Sequence, residues 1–388
     1  MKKFKFGIFG KIVFAIIIGA LLGMVLPTEG VRALKTFNTF FAGILKFIVP
    51  LLVIGLVTPA IADVGKGAGK MLLATIVISY VSTLLAGLFG YAAGDVLFPR
   101  YLEKGLIGAD AAEAAIKPFF TIKLTPICDV LTALALSFMT GIGIVCTGSK
   151  ALRDSVNDFG EIVKLTILKA IIPFLPFYIA TMISEMAAGG KAAAMAGVLF
   201  KVIGTGIVLT VIFLMFLYTV SAIYARKNPV KCLWNMLPAY FTGFSICSSA
   251  ATIPVTLEST LRNGISKDIA NFVIPLCANV HMVGSATKLC ASATAIAWMS
   301  DMSIAPGQFI HFIFMLGIAA VAAPGVTGGV LMASLGLVDS ILGFSPEQSA
   351  LLMTFYLAID GYGPAANVTG DGAVALIIDR MFSKRGEA

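Results

Sequence analysis

The chain has 388 residues, 59% of them hydrophobic and 12% charged, with a mean hydropathy of +0.97. A soluble domain carries about 25% charged residues, so this composition excludes a soluble globular fold and marks an integral membrane protein. The net charge of +8 does not indicate nucleic acid, because the basic residues are scattered and gather at the ends of apolar segments.

Apolar runs long enough to span a bilayer, about 20 residues each, are read at 8–26, 38–62, 71–98, 124–147, 166–188 and 194–226. Their continuity excludes an outer-membrane barrel, whose strands alternate over about ten residues. The first run follows Lys2, Lys3 and Lys5 as a signal peptide would. It is long enough to span and no convincing cleavage site follows, so it is read as the first membrane helix. The segment 99–123 carries Arg100, Lys104 and several acids and reads as an external loop. The run 149–164 is charged and amphipathic and is expected at the cytoplasmic interface. Lys66, Lys70, Lys150, Arg153, Arg226, Lys227, Lys231, Arg380, Lys384 and Arg385 follow the positive-inside rule and put both termini in the cytoplasm, across a cell (inner) membrane. Arg32, Lys35, Arg100, Lys104 and Lys117 fall on the other side. The six cysteines lack CxxC spacing and read as small apolar residues, neither disulfides nor a metal framework.

After residue 226 the pattern changes. Residues 229–264 contain a would-be span broken by Ser248, Ser249, Thr252 and Pro254, and residues 305–342 one broken by Pro324, Gly325, Gly328 and Gly329. Each fits a helical hairpin that enters and leaves on one side with a buried tip. Each is followed by a long apolar segment, 268–299 and then 345–379. Two broken segments at corresponding places point to a transporter site between inverted repeats. The last segment carries Asp360, Asn367 and Asp371 at i, i+7 and i+11, one stripe if the segment is helical. Carboxylates at such depth cost a few kcal/mol unless they meet a cation or a water-filled cavity.

These residues resemble a family. KNPVKCLWNMLPAYFTGFSICSSAATIPVT, APGVTGGV and NVTGD at 367–371 resemble the two hairpin tips and the last-helix signature of the dicarboxylate/amino acid:cation symporters, the glutamate-transporter group. The resemblance covers nearly the whole chain. It implies an all-α membrane fold of eight transmembrane helices plus two re-entrant helical hairpins with inverted repeats, assembled as a homotrimer. It implies a scaffold of helices one and two (1–70) and four and five (within 99–188, after the external loop). A transport unit would comprise helix three (71–98) and residues 194–383. That second stretch would hold helix six, the first hairpin (229–264), helix seven (268–299), the second hairpin (305–342) and helix eight (345–383). Asp360 is implied to bind a substrate amino group and Asn367 its carboxylate. Ser248, Ser249 and Ser285, with Val326, Gly328 and Gly329, would line or close over the substrate. Asp371, Asn367 and Met282 would hold sodium.

The chain departs from the family at informative places. Gly363 stands where the family places an arginine that forks onto a side-chain carboxylate. The family's broken-helix motif NMDGT of the seventh helix appears as His281-Met282-Val283-Gly284-Ser285, and since Met282 and Gly284 survive, the break is expected to remain. A valine cannot ligate sodium, so one ion site is expected to be lost, and His281 becomes a proton candidate. Lys288 is either the anion partner of a substrate or a tethered cation against Asp371 or Asp360. The expected activity is secondary symport of a small amino acid, neutral by preference, coupled to sodium. An acidic amino acid or dicarboxylate held by Lys288, with proton coupling possible, is the alternative. A channel lacks its continuous polar stripe, and an intramembrane hydrolase lacks an assembled nucleophile. No cofactor and no nucleic-acid partner is expected; the partners are the small solute and the lipid bilayer.

Overall fold

In the computed structural model the described residues are 8–64, 69–106, 117–128, 130–188, 192–321, 328–358 and 360–382. Every regular element among them is helical. In chain order these are α1 (Ile8–Val25), α2 (Thr28–Val64), α3 (Lys70–Leu97), α4 (Val130–Thr147), α5 (Lys150–Thr166), α6 (Ile172–Ala188), α7 (Ala192–Tyr224), α8 (Pro229–Asn235), α9 (Leu237–Ile246) and α10 (Ser249–Leu261). They continue with α11 (Lys267–Val280), α12 (Val283–Met299), α13 (Pro306–Val321), α14 (Gly329–Leu342), α15 (Pro346–Ala358) and α16 (Tyr362–Phe382).

The helices sort by what they pack on. α1 lies along α6, and α2 along α4, α5 and α6. α3 lies along α12, α7 and α9 along α16, and α13 along α14. α2 and α6 meet α14 and α15 between these groups. Among the described residues, three stretches are long and apolar enough to cross a membrane: Lys70–Arg100, Gly197–Tyr224 and Lys267–Met299. α7 shows why composition alone was informative. Leu209, Phe213 and Leu217 are buried in the protein, while Val208, Ile212, Met215 and Phe216 are exposed on the other side. A helix that is apolar all round and still exposed has a lipid-facing surface.

Two expected helices are interrupted. Helix seven (268–299) is α11 and α12, parted at His281 and Met282. Helix eight, expected over 345–383, is α15 and α16, so Asp360 stands in the break and not on a helical stripe. The cause is local: Gly361 and Gly363 loosen the backbone, and Pro364 lacks an N–H, which suits only a first turn. Helix two also begins earlier than the expected 38–62, at Thr28. The first hairpin is α9 and α10, which pack together. Residues 322–327, the tip between α13 and α14, lie outside the described residues, and so does Val326.

Residues 281–297, which take in most of α12, are buried without interruption, and so are residues 360–376 at the start of α16. These two stretches carry the buried polar side chains Ser285, Thr287, Lys288, Asn367, Thr369 and Asp371. The centre of the molecule is therefore polar, and its surface apolar.

Candidate functional site

Four helices begin around one point. α10 starts after a turn in which Cys247 takes a left-handed conformation (φ 56°), and the Ser248 hydroxyl caps it by accepting the Ala251 N–H at 3.3 Å. α12 starts after the break at Met282, and α16 after the break at Asp360. α14 starts after Gly328, whose φ of 70° is the left-handed region that favours glycine. The first residues of the four helices line one small cavity, to which Ser249, Ser285, Gly328, Gly329, Asp360 and Asn367 contribute, with Met282 and Tyr356 beside them. It has room for about one water molecule. Each helix N-terminus presents roughly half a positive charge, so the cavity sits where positive ends converge.

The charged pair at this cavity is internal to the protein. Lys288 Nζ donates to Asp360 Oδ1 at 3.1 Å, and the Gly328 N–H donates to Asp360 Oδ2 at 3.1 Å. Both oxygens of Asp360 are thus engaged, and the two side chains are 0% and 4% exposed. The ammonium lies 3.6 Å from the centroid of the Tyr356 ring and 4.9 Å from that of Tyr362, within cation–π range of both. Of the two partners considered for Lys288, the structure selects Asp360. Gly363 explains how it fits: a Cβ there would stand 3.5 Å from Lys288 Nζ and 3.4 Å from Ser285 Oγ. Lys288 occupies the space that a side chain at 363 would enter.

Asn367 closes the start of α12. Its Oδ1 accepts the N–H groups of Gly284 (2.8 Å) and Ser285 (3.3 Å), and its Nδ2 donates to Ser285 Oγ (3.1 Å) and Met282 Sδ (3.2 Å). One turn further along α16, Asp371 meets His281. His281 Nδ1 lies 3.0 Å from Asp371 Oδ1, and Nε2 lies 3.0 Å from Ser82 Oγ. Asp371 Oδ2 is buried and has no hydrogen-bond partner among the described residues. Thr83 of α3 accepts the Met282 N–H at 3.1 Å. The expected site residues therefore gather in two places. Ser249, Met282, Ser285, Gly328, Gly329, Asp360 and Asn367 line the cavity, with Ser248 capping one edge and Lys288 and Gly363 behind Asp360. Asp371 and His281 form a second cluster against α3.

Sequence reasoning missed Tyr356, Ser82 and Thr83. Tyr356 lies four residues before Asp360, and Ser79, Ser82 and Thr83 form a hydroxyl cluster at i, i+3 and i+4 in an apolar helix. Either spacing would have served as a signal. The six cysteines are present as thiols, of which Cys232, Cys277 and Cys290 are buried while Cys146 is exposed.

The sequence model of the sodium:dicarboxylate symporter family matches residues 8–381. The chain is similar to human neutral amino acid transporter A, 26% identical over 279 residues, which are 67% of this chain and 50% of that protein. It is similar to the bovine neutral amino acid transporter A, 31% identical over 187 residues, 47% of this chain and 33% of that protein. The chain thus spans about half the length of the human relative and a third of the bovine one. With a family model matched from residue 8 to residue 381, the chain belongs to the sodium:dicarboxylate symporter family.

Proposed function

We propose that the protein is a secondary active symporter that carries a small carboxylate-bearing solute, of the amino acid or organic acid class, across the membrane. The observation that carries this reading is the convergence of four helix starts, from two hairpins and two interrupted helices, on one buried cavity. Broken helices at membrane depth are tolerated where their free ends line a cavity, and their positive ends suit an anionic group. The cavity is small and lined by buried residues, which suits alternating access and not an open pore.

In this reading the chain has eight membrane helices and two re-entrant hairpins. The helices α1, α2, α4, α5 and α6 form a scaffold, and α3 with α7 to α16 moves as an elevator, in a homotrimer. The packing groups support the division. Sodium enters as cargo at Asp371, whose Oδ2 is a buried oxygen with no hydrogen-bond partner among the described residues. Met282 and Asn367 meet each other through Sδ and Nδ2, one turn away. Val283 and the imidazole of His281 stand where a further ion would bind, so fewer sodium ions accompany the solute than in relatives with the full motif.

The test is uptake into proteoliposomes holding the full chain, with and without an inward sodium gradient, at two pH values. Saturable uptake that the gradient accelerates is the expected result. Uptake that ignores sodium but follows a proton gradient would move the coupling to His281, and non-saturable flux would favour a channel.

A further inference from the structure

We infer that the solute carries a carboxylate but no amino group, and that Lys288 is the residue that sets this specificity. The inference rests on the carrier reading above and narrows its substrate class. A buried carboxylate is a receptor for a cation only while it lacks one. Here Asp360 already holds the Lys288 ammonium on one oxygen and the Gly328 N–H on the other. An incoming ammonium would meet a carboxylate whose charge Lys288 already balances, and would lie beside that second cation with little water to screen the two.

What the cavity leaves for a ligand has the opposite sign. The starts of α10, α12, α14 and α16 converge on it, and the hydroxyls of Ser249 and Ser285 are buried in its wall. Lys288 has three donors, of which Asp360 takes one. Its position is over-determined: 0% exposed, ringed by Tyr356 and Tyr362, and seated in the space Gly363 leaves open. Moving it aside to free Asp360 would part a buried ion pair and leave a charge uncompensated. A carboxylate can instead meet the converging helix starts and the Ser249 and Ser285 hydroxyls in the cavity wall while the pair stays intact.

Matched solutes that differ only in the amine test this: propanoate against L-alanine, and succinate against L-aspartate. Each is titrated against the purified full chain, with the shift in melting temperature and competition for uptake as readouts. The expected result is that the amine-free member of a pair acts at a concentration at least about tenfold lower. Lys288→Met is expected to invert that order, because Asp360 then receives the solute's ammonium. Should Lys288→Met not fold, Lys288→Met with Asp360→Asn removes both charges and is expected to abolish the discrimination. Tighter action of the amine-bearing members on the native chain, or an order unchanged in the variants, overturns the inference. No shift and no competition from any of the four solutes overturns the carrier reading itself.

Discussion

Gly363 and Lys288 sit on different helices, α16 and α12, and the space that one leaves is taken by the ammonium of the other. Their substitutions are therefore coupled. Gly363→Ala places a methyl group at ordinary contact distance, 3.4–3.5 Å from its neighbours, and is expected to change the melting temperature little. Gly363→Arg brings a second buried cation against Lys288 and is expected to cost several kcal/mol. Adding Lys288→Met to Gly363→Arg should restore most of that loss, and thermal melts of the three variants measure the coupling. If the double variant is no more stable than Gly363→Arg, the two residues do not share the space. At the second cluster, His281→Ala removes the partner of Asp371 Oδ1 and leaves that carboxylate with neither oxygen bonded. A drop in stability of about 3 kcal/mol is expected, and a melt unchanged within error would mean that Asp371 holds no charge to compensate.

At the scale of elements, the functional content lies in where helices stop. The breaks at His281–Met282 and at Asp360–Gly361 turn two long helices into four and bring two positive ends to the cavity. The first break was legible because Gly284 and Met282 survive from a known broken-helix motif. The second was not, because the apolar run on either side of Asp360 reads as one span; only Gly361, Gly363 and Pro364 together announce it. The pairing of Lys288 with Asp360 was one of several options that sequence left open, since residues 72 apart share no periodicity. A tie between the packing groups was not foreseen at all. Lys35 on α2 meets Glu185 on α6 at 2.8 Å and Glu347 on α15 at 3.5 Å. Its side chain is 11% exposed while that of Glu347 is 59% exposed, so the second contact is largely screened. Glu347→Gln is expected to lower stability by no more than about 1 kcal/mol. It should nevertheless change the uptake rate severalfold if α15 moves against α2, and an unaltered rate would show that the tie plays no part in the motion.

The whole molecule inverts the arrangement of a soluble protein, with Phe200, Ile212, Phe216 and Ile223 of α7 turned outward and a polar centre held between α12 and α16. Composition made that inversion readable before any geometry was known. A direct check is Ile212→Lys, which sets a charge on the outward face of α7 and should cost about 3 kcal/mol of insertion, read as a lower yield of membrane-inserted protein. The Lys288–Asp360 pair has a further consequence at this scale, one of voltage. A carboxylate that crosses the field with its own ammonium attached contributes no net charge, whichever atom holds the shared proton. Moving one uncompensated elementary charge would involve about 2.3 kcal/mol per 100 mV. On the carrier reading proposed above, the return of the unloaded protein therefore costs no electrical work on account of Asp360.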